Sequence, residues 1–108
     1  MEDNTWFHLW LPVRGMISDE TYFLESSPEF TITSPGDAKD GITVTAYQHQ
    51  DNSLYIQAGR GYNTEMVVKP DFAAPGVGIL TASIGAGRPF AEATGTSLAA
   101  AQSAGIAA

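Results

Sequence analysis

The sequence predicts an α/β chain in which short strands and one helix follow a β-rich leading segment. Two observations carry this reading. Short β-branched or aromatic stretches recur between turn residues, as in Ile42–Tyr47 (ITVTAY) and Val77–Ala82, which is the pattern of brief buried strands. The chain then changes character at Leu98–Ala108, where alanine dominates and Gly105 is the only glycine, a helical composition.

Taken in order, Thr5–Leu11 (TWFHLWL) reads as a strand closed by Pro12. Alternation sets Trp6, His8 and Trp10 on one face and Phe7, Leu9 and Leu11 on the other. Val13–Lys39 is irregular, with turn chemistry at Gly15, Ser26-Ser27-Pro28 and Ser34-Pro35-Gly36-Asp37, and reads as a connection between two units. Leu54-Tyr55-Ile56 is a further short strand leading into the Gly59-Arg60-Gly61 loop. Asp71–Gly76 reads as a turn feeding Val77–Ala82, and Gly85–Pro89 as a loop. The hydroxyls of Thr94-Gly95-Thr96-Ser97 stand where an N-cap is needed. A helix as bare of polar residues as Leu98–Ala108 is expected to be buried all round. Ile42–Tyr47 and Val77–Ala82 are expected in one sheet.

Composition narrows the function. The 108 residues are 44% hydrophobic and 16% charged, as in a folded segment rather than a disordered one. The net charge is −7, and residues 1–54 hold nine acids against Arg14 and Lys39. No basic cluster exists to neutralise phosphates, which argues against nucleic acid as a partner. Cysteine is absent, so there is no disulfide framework or thiolate chemistry. No apolar run reaches the ~18 residues of a membrane span, and Met1-Glu2-Asp3-Asn4 is acidic where a signal peptide is basic. No membrane partner, metal site or cofactor is expected: neither a phosphate-loop nor a dinucleotide pattern is present, and no His, Asp or Glu spacing suits a metal.

Thr94-Gly95-Thr96-Ser97-Leu98-Ala99-Ala100 carries the chemistry. A serine in the first turn of a helix lies among unsatisfied N–H groups at the positive end of the dipole, where a developing oxyanion is stabilised. Gly95 keeps the approach clear. Alone, G-T-S is most simply a helix cap. The wider stretch adds Lys69-Pro70-Asp71-Phe72-Ala73-Ala74-Pro75-Gly76-Val77 ahead of Gly95–Ala100, with Ile42–Tyr47 and Ala58-Gly59-Arg60-Gly61 before it. These four elements, in this order, resemble the subtilase family of serine peptidases. There a K-P-D-x-x-A-P-G segment precedes the nucleophile motif G-T-S-[MLV]-A-[AS].

Leu9-Trp10-Leu11-Pro12, Thr21-Tyr22-Phe23-Leu24 and Phe30-Thr31-Ile32-Thr33-Ser34-Pro35 resemble a clostridial branch with an inserted jelly-roll domain. The resemblance implies that residues 1–39 end that domain and connect it to the core. Residues 40–108 would be the C-terminal part of a subtilisin-like catalytic domain, with short parallel strands and a buried nucleophile helix within which the chain is cut. It implies Ser97 as nucleophile and oxyanion donor, Gly95 and Thr96 leading into the helix, and Thr94 lining the cleft beside the leaving group. The family's catalytic Asp, His and oxyanion Asn fall upstream, so the isolated chain is expected to be inactive. The partners implied are a peptide or protein substrate and the remainder of the parent chain, with a homodimer if the chain stands alone. After G-T-S-L-A-A most subtilases read P-H-x-A-G, whereas this chain reads Ala101-Gln102-Ser103-Ala104-Gly105.

Other residues have simpler roles. His8 and His49 read as a packed and a solvated residue. Asp71 reads as an acceptor of backbone N–H bonds, Asp19-Glu20 as a solvated pair, and Trp6 and Trp10 as packing residues rather than a sugar platform. Two rival classes use the same residues: a pseudoprotease that works by binding, and a β-rich interaction module in which Ser97 only caps a helix.

Overall fold

A run of β-branched and small residues makes Val44–Gln48 (β1) the organising strand, and the computed structural model, which describes residues 4–5, 7–13, 15–85 and 87–108, builds the rest around it. β2 (Ser53–Leu54) turns back antiparallel to β1, with Tyr47 opposite Leu54. On the other side β5 (Phe72–Pro75) runs parallel to β1, from Val44 opposite Phe72 to Tyr47 opposite Pro75. β3 (Gly61–Tyr62) and β4 (Val68–Lys69) form a small hairpin between them in the chain. β6 (Ile79–Ala82) and β7 (Phe90–Ala93) form a second antiparallel hairpin, and α1 (Thr96–Ala107) follows directly.

Three alanines make the core: Ala46 of β1, Ala74 of β5 and Ala99 of α1, with Val44 and Tyr55 packed against them. Side chains this small let the helix backbone approach the sheet closely. Buried Ser103 satisfies its hydroxyl by donating to the Ala99 carbonyl at 2.8 Å. Three buried methyls contribute only about 0.8 kcal/mol each. The chain is correspondingly open, with a radius of gyration of 16.7 Å against the ~13 Å of a compact domain this long.

The strand and helix assignments shift in several places. Thr5–Leu11 forms no strand among its described residues, because no neighbouring strand supplies a ladder; Trp6 lies outside the described residues. The expected strand over Ile42–Tyr47 begins at Val44, since Thr43 is held by Asp71 instead: its N–H donates to Oδ2 at 2.7 Å. The strand expected at Leu54–Ile56 is only Ser53–Leu54. Asp71–Gly76 is not a turn but contains β5, whose pairing starts where the Asp71 N–H meets the Thr43 carbonyl at 2.8 Å. Val77–Ala82 does not join the β1 sheet. Gly78, at φ 63°, turns the chain away, and the strand pairs with the unforeseen β7. Nor is α1 buried all round, because the β1–β5 layer covers one face: only Ala99 and Ser103 are buried, and Ile106 is 85% exposed.

The segment ahead of β1 is fastened to this layer by polar contacts. Thr31 donates its N–H to the Arg60 carbonyl at 2.9 Å, and the Arg60 N–H returns a bond to Thr31 Oγ1 at 3.0 Å. Gly61, at φ 121°, passes so close to Phe30 that a Cβ would lie 2.6 Å from its amide nitrogen. Buried Asn63 donates to the Asp37 carbonyl while its Oδ1 accepts from Glu65 and Val67 N–H groups, which sets the β3–β4 turn.

Candidate active site

Ser97 stands second in α1, exposed, after Gly95 at the N-cap and Thr96 at the first helical position. Its N–H is among those left without an intrahelical partner. No acidic side chain occupies the first turn, so the positive end of the dipole is uncompensated there. The cap differs from expectation. It is Gly95, with no side-chain cap bond, because φ 158° and ψ 159° fall in a region essentially confined to glycine.

Two glycines place this helix start for opposite reasons. Gly95 has open space where a Cβ would stand, so its conformation requires glycine. At Gly76 space is the constraint: a Cβ would lie 2.5 Å from the Ala46 Cβ and 2.9 Å from the Gly95 carbonyl oxygen. That proximity forms a relay of backbone bonds. The Gly76 N–H donates to the Tyr47 carbonyl at 3.1 Å, and the Gly95 N–H donates to the Gly76 carbonyl at 2.8 Å. Thr94 closes the β6–β7 hairpin at its base, where Oγ1 accepts from the Gly78 N–H at 2.9 Å. Thr96 borders a cleft of about 190 Å³ shared with Thr31, Thr43, Thr45 and Gly59.

The Lys-Pro-Asp segment is a staple behind the site. Lys69 is 2% exposed, and its Nζ donates to the Gly41 carbonyl at 2.6 Å and to Asp71 Oδ2 at 2.8 Å. The same Asp71 oxygen accepts the Thr43 N–H, as expected for this residue. The Lys69 hydrogen bond, with that of Thr43, holds the Asp71 carboxyl below the ordinary carboxylate range.

The structure thus brings Thr94, Gly95, Thr96 and Ser97 together at one junction between hairpin and helix. His8 is engaged elsewhere, stacked on Phe30 with ring centroids 5.1 Å apart, and His49 is an exposed turn residue. Gln102, noted only as a departure in the sequence, proves to span from α1 to β5: its Nε2 donates to the Pro75 carbonyl at 2.9 Å. Those partners lie 27 residues apart, beyond any local pattern.

The model of the Subtilase family matches residues 24–108. The chain belongs to the Subtilase family. A search among curated proteins finds no match. Among solved structures, the CspB protease of Clostridium perfringens superposes with a TM-score of 0.73 at 38% identity, covering 81% of this chain and 18% of that one. The chain thus spans less than a fifth of that relative's length. Its mixed α/β arrangement of short strands and one helix is that of a subtilisin-like fold.

Proposed function

We propose that the complete protein carrying this chain is a serine endopeptidase with Ser97 as its nucleophile. The observation that carries this is the placement of an exposed serine at the second position of a helix, after a glycine cap fixed to the sheet through Gly76. Ser97 Oγ would attack the scissile carbonyl, passing its proton to a histidine from another part of the protein. The tetrahedral oxyanion would meet the free Ser97 N–H and an asparagine amide, also supplied elsewhere. Membership of the subtilase family supports peptide or protein substrates.

On this reading residues 40–108 belong to the catalytic domain, and residues 1–39 end an inserted β-domain and connect it to the core. The isolated chain is inactive, since a serine without its triad partners loses roughly 10⁴-fold or more in turnover. Ile42, Phe72 and Ile106 border an uncovered groove of about 340 Å³ against α1, which the remainder of the parent would cover. Alone, the chain would pair two-fold through it.

A fluorophosphonate probe tests the assignment. The full-length protein should be labelled and Ser97→Ala should abolish the label, while the isolated chain shows only a surface-serine background. Undiminished labelling of the Ala variant would remove Ser97 as nucleophile.

A further inference from the structure

We infer that Gln102 is a positioning residue for Ser97, acting through the Pro75–Gly76 peptide; this rests on the nucleophile reading above. Both ends of that peptide unit are bonded. Its carbonyl accepts from Gln102 Nε2 at 2.9 Å, and its N–H donates to the Tyr47 carbonyl at 3.1 Å. One atom group further, the Gly76 carbonyl receives the Gly95 N–H at 2.8 Å. A closed circuit results: α1 through Gln102 to Pro75, along the chain to Gly76, across to Gly95, and back into α1 two residues before Ser97.

Helical geometry gives the circuit its purpose. Five residues separate Ser97 from Gln102, which is roughly 140° around the helix axis. Gln102 therefore holds the sheet side of α1 while Ser97 stays exposed. The Gly95 contact fixes the start of the helix, and the Gln102 contact, lying about 10 Å further along the axis, fixes its tilt and rotation. With the buried core reduced to alanines and Val44 and Tyr55 only partly buried against it, no fully buried large side chain among the described residues keys the helix against rotation about its own axis. A directional hydrogen bond supplies that restraint. Displacement of a nucleophile by an ångström can cost about 100-fold in rate.

The test compares variants of the full-length protein. Gln102→Ala and Gln102→Glu remove the donor, the second with little change of shape, whereas in Gln102→His an imidazole N–H can still reach the carbonyl. The readouts are the rate of fluorophosphonate labelling per folded molecule, and kcat and KM on fluorescein-labelled casein. Both donor-less variants should lose about tenfold in labelling rate and kcat with KM held within about twofold, and Gln102→His should recover most of the loss. If Gln102→Ala does not fold, the near-isosteric Gln102→Glu carries the comparison. An unchanged kcat, a loss expressed in KM, or equal losses in all three variants would each overturn the proposal. A Ser97→Ala protein that still labels would instead refute the nucleophile reading, whatever Gln102 does.

Discussion

The segment before β1 and the segment from β1 onward are built on opposite plans. The first carries large side chains, and most stay open to solvent: Phe7, Leu9, Tyr22 and Leu24 are all exposed. It forms no strand among its described residues. Its order comes from isolated polar contacts, such as the Trp10 Nε1–H bond to the Phe30 carbonyl at 3.1 Å. The second buries almost nothing large, yet it holds the sheet, the helix and the serine. There the backbone itself does the packing, because alanine and glycine let β1, β5 and α1 touch. Large apolar residues do not make a core without a partner surface; small ones do when the backbone bonds are already in place.

The comparison breaks most sharply at Gly76. Gly76→Val sets a branched side chain where a single Cβ already collides with Ala46 and the Gly95 carbonyl. Overpacking of this kind costs about 1–3 kcal/mol or more, and here it also pries apart the relay that leads to Ser97. The full-length variant should lose several degrees in Tm and at least about tenfold in fluorophosphonate labelling. Retention of both would mean that the close approach is not what places the helix.

A smaller effect is expected at Lys69. Lys69→Met keeps the bulk but leaves the Gly41 carbonyl without its partner, a loss of about 1–3 kcal/mol, visible as a lower urea midpoint at unchanged slope. The pH dependence sharpens this. Because Asp71 is held below its ordinary value of 3.8 by Lys69 and the Thr43 N–H, its contribution is complete above that value and disappears as pH falls through the lowered folded value. Asp71→Asn should therefore flatten the loss of stability on acidification below about pH 4. If parent and variant lose stability in parallel there, the Lys69–Asp71 staple is not a source of acid sensitivity.

What could be read in the sequence follows the same division. The Lys-Pro-Asp and Gly-Thr-Ser segments were legible because each is a short string with local chemistry: a lysine two residues before the carboxylate it binds, and a serine at a helix start beside a glycine in a backbone state other residues avoid. Pairing was not legible. Val77–Ala82 has the composition to join β1, but the turn at Gly78 and the partner at Phe90–Ala93 send it to a separate hairpin. β5 was hidden by flanking prolines that read as turn chemistry, although a strand of four residues tolerates them at its margins. Gln102 looked like a mere departure because its partner is remote in sequence. In Thr5–Leu11 the alternation was real, but alternation names only faces, and a strand exists only where another edge completes it.

The smallest effect is expected in the leading segment, at Trp10. Its indole N–H holds the Phe30 carbonyl, and the His8 ring lies 5.6 Å from it and 5.1 Å from Phe30. Trp10 is about half exposed, so water can replace the lost bond. Trp10→Phe keeps an aromatic ring in place and removes the donor with part of the indole, a change worth about 1 kcal/mol at an exposed site. Phe30 in turn neighbours Tyr62 of β3 at 5.9 Å, yet the Thr31–Arg60 pair of bonds fastens the same place independently of the indole. In the full-length protein the substitution should move Tm by no more than a few degrees and leave labelling of Ser97 within about twofold. A large fall in labelling at unchanged Tm would show the reverse: that the aromatic segment reaches the serine by a route other than the Thr31–Arg60 seam, and that the two plans are coupled rather than merely joined.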